Sequence, residues 1–350
     1  MAMTAARTTV LLLAVTITIG CVPRPLTPRT TDPRPYGPDW ASPLLRAHPL
    51  AGRILDVKGR RWVDQAALDD ALARADIAVL GEVHDNPDHH RLQAREVKAV
   101  ATAGRTPALA FEMLSTQVQE KLDAAQAAPG ASADSVAEAV EWAKSGWPEF
   151  ALYRPIFEAG LAARLPLVAA NLSRTAAREL MKKGAGALPE DAASWLSRAP
   201  EPTSRELEEL KAEMAADHCG ELPESMVKPL VLAQRARDAT LAVRTATAAG
   251  TRGALLVAGD GHARNDRGVP AWLRRELPGK RVVAIGHLEV QAGLDHPDDY
   301  AAEYGTAIPF DYVIFTPGAE REDPCLELKK KMDLKKATPP AKEATPPAKG

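Results

Sequence analysis

The chain has 350 residues, of which 45% are hydrophobic and 26% charged, with a formal net charge of −2. These are the proportions of an ordinary globular protein, and the length allows one large domain or two small ones. The near-neutral balance excludes the basic excess that nucleic acid or an anionic membrane surface demands.

The first element is an apolar segment. Arg7 is followed by "TTVLLLAVTITIGC", too short to span a bilayer but right for a signal peptide. It ends in Ile19-Gly20-Cys21, a small residue before a cysteine, which resembles the bacterial lipoprotein cleavage signal. This predicts a signal peptide over 1–20 and a diacylglyceryl anchor on Cys21, each buried methylene adding ~0.8 kcal/mol of membrane affinity. A plain secretory signal cut elsewhere is the alternative. Residues 21–44 read as a proline-rich tether, because the seven prolines between 22 and 43 favour extended polyproline II and cannot build a core. The folded domain is expected over 45–325. The tail, 326–350, closes in "KKKMDLKKATPPAKEATPPAKG" and reads as disordered.

Within the domain, apolar strand-like runs lie at 54–57, 77–80, 108–111, 167–170, 254–258, 282–285 and 312–315. Between them come helical stretches at 87–103, 116–127, 150–163, 205–216 and 224–249. Strands alternating with helices predict an α/β fold, a single large domain with a mostly parallel central sheet flanked by helices. The segment "GALPEDAASWLSRAPEPTSRE" lacks periodicity and is expected to be an irregular excursion or lid. In an oxidising periplasm Cys219 and Cys325 have no other thiol to pair with once Cys21 is lipidated, which predicts a disulfide between them. Two buried free thiols are the alternative.

The residues just beyond each strand are more informative than the strands themselves. The run at 77–80 leads into "GEVHDNPDHH", with Glu82, His84, Asp85, Asp88, His89 and His90, in a chain that has only 8 histidines. The run at 108–111 leads to Glu112, that at 167–170 to Asn171 and Arg174, and that at 254–258 to Asp260 and His262. In a parallel sheet these ends share one edge, so four segments deliver polar groups to one crevice. A cluster that merely stabilised the edge would have to satisfy every buried charge. His89 and Gln93, and likewise Gln234 and Asp238, lie four apart on helical faces with apolar neighbours. They are either hydrogen-bonded core residues or groups that orient His84 or His262.

The blocks "LGEVHDNPDHHRLQ", "AFEML", "YRPIFEAGLAARLPLVAANLSR", "AQRARDATLA", "GDGHARNDRGVPAWL" and "DYVIFTPGAEREDPC" stand in an order that resembles the ChaN-like haem-binding lipoproteins. That family sits in a wider group with the Tiki-type proteases and the erythromycin esterases. The resemblance implies an α/β fold, outer-membrane anchoring facing the periplasm or cell surface, and haem binding linked to iron uptake. It also implies a homodimer holding stacked haems, with tyrosine as an iron ligand. On this chain Tyr153 is the first candidate ligand, with His84 and His262 able to serve through imidazole nitrogen. Arg154 and Arg174 are candidates for the propionates. No CxxCH motif provides covalent attachment.

The residue chemistry alone also suits a hydrolase. Glu82 or Glu112 would be the general base, with His84 and His262 an acid–base pair. Alternatively His84, His262 and Glu82 would hold a divalent metal that activates water. Glu-x-His is not the helical HExxH pattern, so any metal site would have to be assembled across strands.

Overall fold

The computed structural model describes residues 39–326, apart from 185, 187, 218, 221, 306 and 324. The expected signal peptide with Cys21, most of the tether, and the tail lie outside the described residues. The apolar runs form strands because each is buried on both faces of one sheet. The strands are β1 (Ile54–Asp56), β2 (Arg61–Val63), β3 (Ile77–Leu80), β4 (Ala108–Ser115), β5 (Leu167–Asn171), β6 (Ala254–Val257), β7 (Val282–Glu289) and β8 (Tyr312–Thr316). Their order across the sheet is β2-β1-β8-β7-β3-β6-β4-β5. All pairings from β8 to β5 are parallel, and the short hairpin β1–β2 adds an antiparallel edge. The α/β fold expected from the sequence is the fold observed.

Successive strand residues point to opposite faces, and two cores result. Ile77, Val79, Ala108, Ala110 and Leu256 face one, while Ala78, Leu80, Leu109, Phe111 and Val257 face the other. The second core is closed by α1 (Gln65–Arg74), α2 (Pro87–Thr102), α3 (Gln119–Ala127), α4 (Ala133–Ala139) and α5 (Phe150–Ala162). The first is closed by α6 (Arg174–Lys183), α7 (Glu190–Arg198), the long α9 (Glu224–Ala249) and α11 (Val269–Glu276). Helix α8 (Ser204–Asp217) packs through Leu210 on Val227 and Val231 of α9. The one-turn helix α10 (Asp260–Ala263) directly follows β6.

One part of the sequence reading changes. The segment expected to be irregular contains α7, whose buried Ala192 and Leu196 are four apart and face the core. The domain also begins earlier than residue 45. The Asp88 carboxylate accepts from the N–H groups of Ala41 and Ser42 at 3.0 and 2.8 Å, and Leu44 bridges to Gly318. Cys219 and Cys325 are joined in a disulfide that ties the segment after α8 to the end of the domain.

The topology places the site. From β3 the chain crosses through α2 to β4 on one side, while from β6 it crosses through α10 and α11 to β7 on the other. Strands β3 and β6 are neighbours, so their carboxyl ends form a switch point, the position where open α/β sheets bind ligands.

Candidate functional site

Glu82 leaves β3 just after Gly81, where a Cβ would collide with Asp260 Oδ1. The Glu82 carboxylate is 2% exposed. Its Oε1 accepts from Tyr153 Oη at 2.7 Å and from His84 Nδ1 at 2.8 Å, and its Oε2 lies 3.2 Å from His90 Nδ1. Burial pushes this carboxyl up, but the charge of His90 and the hydrogen bonds of His84 and His90 hold it well below its usual value. Burial likewise opposes the charge of His84, and the Glu82 carboxylate overcomes it, raising the imidazole to about 9.

A second pair faces the first across Gly259. Glu112, 2% exposed, accepts from the Gly259 N–H at 2.8 Å and lies 3.3 Å from His262 Nε2. The other ring nitrogen of His262, Nδ1, donates to Asp238 of α9 at 2.7 Å, with the Gln234 amide 3.4 Å away. Burial opposes the imidazolium, but the charges of Glu112 and Asp238 raise His262 to about 10. Glu112 is pushed up by burial and drawn down more strongly by His262, to about 2. Asp238 is raised by burial despite its bond to His262. The two pairs nearly touch: a Cβ on Gly259 would stand 2.9 Å from His84 Nε2 and 3.6 Å from Glu112 Oε2.

The structure therefore brings Glu82, His84, Glu112 and His262 together, and it differentiates them. Both nitrogens of His262 are engaged by carboxylates. His84 Nε2 has no hydrogen-bond partner among the described residues, and its side chain is 37% exposed, edge-on to Trp147 with ring centroids 4.8 Å apart. Beside it opens a cleft of about 420 Å³, lined by Glu112, Trp142, Trp147, Asn171, Arg174 and Arg237. A second cleft of similar volume approaches from the opposite face, between α8, α9 and α11, and reaches Asp238.

Two expected ligand-binding residues are placed elsewhere. Tyr153 is 0% exposed beneath Glu82, and burial beside two acids keeps its phenol far above the ordinary range. Protonated and committed to Glu82, it supports the site from below and does not open to the cleft. Arg154, next to it on α5, points outward to an ion pair with Asp134. Arg174 does line the cleft. Among the described residues no three His, Cys, Asp or Glu side chains are arranged to hold a metal ion, so Glu82, His84 and His262 do not form such a group.

The rest of the polar motif is structural. Asn86 caps α2 and donates to Pro317 O, and Asp88 anchors Ala41 and Ser42. His89 accepts from Val83 N–H at 2.9 Å and donates to Thr316, and burial holds it neutral. Gln93 donates to Leu80 O and Gly81 O. Sequence reasoning missed His287, which donates to Gly81 O at 2.6 Å and to the buried Glu96 at 3.1 Å, fixing the turn that launches Glu82. A histidine inside an apolar strand run was the available signal.

The fold has a counterpart among solved structures. One described as "Cofacial heme binding to ChaN of Campylobacter jejuni" is 22% identical with a TM-score of 0.56, covering 75% of this chain and 95% of that one. The type III effector HopBA1 is more distant, with 13% identity and a TM-score of 0.40, covering 71% and 91%. Among curated proteins no sequence matches. The sequence itself matches one family model over residues 68–273, which takes in β3 to α11 and with them Glu82, His84, Glu112 and His262. The chain belongs to that family, the haem-binding uptake proteins of the Tiki superfamily, ChaN.

Proposed function

We propose that this chain binds haem in the cleft beside His84, with His84 Nε2 as the iron ligand, as a lipid-anchored component of haem and iron uptake. The family supports a haem-binding role, and the carrying observation is the state of His84. Its Nδ1 is donated to a buried carboxylate, which fixes the tautomer and directs the free Nε2 outward, as for metal-bound imidazoles generally. The donor set fits haem in two further respects. Trp142 and Trp147 supply an aromatic wall, and Arg174 supplies a cation for a propionate. Haem binding of the stacked kind would pair two copies of the chain as a homodimer. The lipid on Cys21 would hold it at the outer membrane.

Titration of the purified protein with hemin, followed by the Soret band, tests this. Iron competes with the proton that His84 retains up to about 9. Affinity should therefore rise as pH increases towards that value, and His84→Ala should abolish both the band and its pH dependence. Hemin binding to His84→Ala with unchanged affinity and spectrum removes His84 from the role. One observation favours a second reading, hydrolysis in the same cleft. His262 is clamped between Glu112 and Asp238, as an acid–base group would be and as a haem ligand need not be. Loss of turnover on a model ester in His262→Ala, with hemin binding intact, would support it.

A further inference from the structure

Most arginines in this domain are paired, as Arg154 is with Asp134, Arg264 with Asp266 and Glu213, and Arg274 with Asp311, while Arg164, Arg178 and Arg252 are unpaired and exposed. Arg174 and Arg237 are unpaired as well. Neither makes a hydrogen bond or ion pair with any described residue, and both line the cleft beside Glu112. Arg237 Nε is buried without a partner, as is Oδ1 of Asn171, a residue only 6% exposed on the same wall. Which end of an amide carries the nitrogen is an assignment, so Asn171 can equally present its N–H₂ group.

Two features hold these groups in place. The Arg174 guanidinium packs on Gly146, where a Cβ would stand 2.6 Å from Nη2; with φ at +79°, that glycine is also in backbone that other residues rarely adopt. Arg174 opens α6, where the N-cap Ser173 hydroxyl accepts from Ala176 N–H and its carbonyl from Ala177 N–H, so the Arg174 and Thr175 N–H groups have no intrahelical acceptor. The acids nearby are already engaged. Glu112 is taken by His262 and Gly259 N–H, and Glu141 by Lys144.

We propose that Arg174, Arg237, Asn171 and the first turn of α6 form a subsite for an oxyanion, the carboxylate of a bound ligand. Two guanidinium forks and a helix N-terminus suit a planar carboxylate, which accepts paired N–H bonds. Resting on the haem reading, that carboxylate is a propionate. A separate small carboxylate or phosphate would use the same donors.

The experiment compares hemin with hemin dimethyl ester, which lacks the propionate charges, on the full-length protein and on Arg237→Met and Arg174→Met. Each variant should weaken hemin at least about tenfold, leave the ester's affinity unchanged, and keep the Soret position, since the iron ligand is untouched. Arg237→Lys, which keeps the charge but not the fork, should fall between. Melting temperature separates this from a structural role: removing an unpaired arginine should not lower it. Hemin and its ester binding alike to the native protein and the variants would overturn the subsite while leaving haem binding intact. Should the native protein bind no hemin, the haem reading fails, and succinate and inorganic phosphate decide the subsite. Stabilisation of the native protein but not Arg237→Met would retain it, and no response in either would end it.

Discussion

Replacing Glu112 by Gln removes one charge from the site with almost no change of shape. Burial alone would raise this carboxyl, and the charge of His262 leads the influences that hold it instead at about 2, against an ordinary 4.5. At ~1.4 kcal/mol for each tenfold change in proton affinity, that is on the order of 3 kcal/mol. It agrees with the ~3–5 kcal/mol lost when a buried ion pair is broken from one side. A depressed acid stabilises the fold above 4.5, and this contribution fades as pH falls towards 2. A raised base acts oppositely: the His262 contribution is full below 6.5 and lost as pH rises to about 10. The pair therefore stabilises most between 4.5 and 6.5. Glu112→Gln should show a deficit of roughly 3 kcal/mol near pH ~6, smaller near pH ~3 and pH ~10, measured by urea unfolding with an unchanged m-value. A deficit equal at all three pH values would assign the loss to packing of the amide and refute the electrostatic argument.

Other consequences are as direct. The Cys219–Cys325 bridge spans 106 residues, so its reduction should cost ~4–5 kcal/mol on the loop-entropy model; an unfolding midpoint indifferent to reductant contradicts this. Gly259→Ala places a methyl 2.9 Å from His84 Nε2 and should both weaken hemin binding and shift the His84 titration away from about 9, as read by NMR. Tyr153→Phe removes a hydrogen bond to a buried carboxylate, worth ~1.5–3 kcal/mol of stability, yet should retain the Soret band. Loss of the band in a folded variant would restore Tyr153 as the iron ligand. Cys21→Ala should move the protein from the membrane to the soluble fraction, and a variant that still sediments with membranes would show a different anchor.

The strands of the sheet centre were legible because a strand buried on both faces leaves an uninterrupted apolar run, as Ile77–Leu80 does. The edge strand β2 was not, because Arg61 and Trp62 keep contact with solvent and its three residues are too few to show alternation. Helices α1, α4, α6 and α7 are short, and α7 fully buries just Ala192 and Leu196. Sequence identified the acids and histidines of the site because they come directly after apolar runs, although β4 continues to Ser115 and so carries Glu112 within it. It could not separate Tyr153 from Arg154, although adjacent residues on a helix project ~100° apart and cannot both face one cleft. Arg237 escaped for a related reason. A cation on a long helix reads as solvated surface until the fold shows that no acid meets it.

The two imidazoles are chemically alike in sequence and unlike in place, and the sheet is the reason. Glu82, His84 and Tyr153 are held from the layer of α2 and α5, whereas His262 is held by Asp238 from α9 on the opposite layer. His84 takes its counter-charge from Glu82 beyond β3 and His262 from Glu112 of β4 and Asp238 of α9, and the pairs approach each other at Gly259, where the lack of a side chain lets His84 lie against the backbone. His262 spends both nitrogens on carboxylates; His84 spends one and has no partner for the other among the described residues. A ligand bound through His84 thus displaces a proton without breaking the bond to Glu82, while a ligand bound through His262 would have to displace Glu112 or Asp238 from a buried ion pair. That asymmetry is the reason for proposing His84 rather than His262 as the binding residue, with His262 the neighbour whose charge is shared with Glu112.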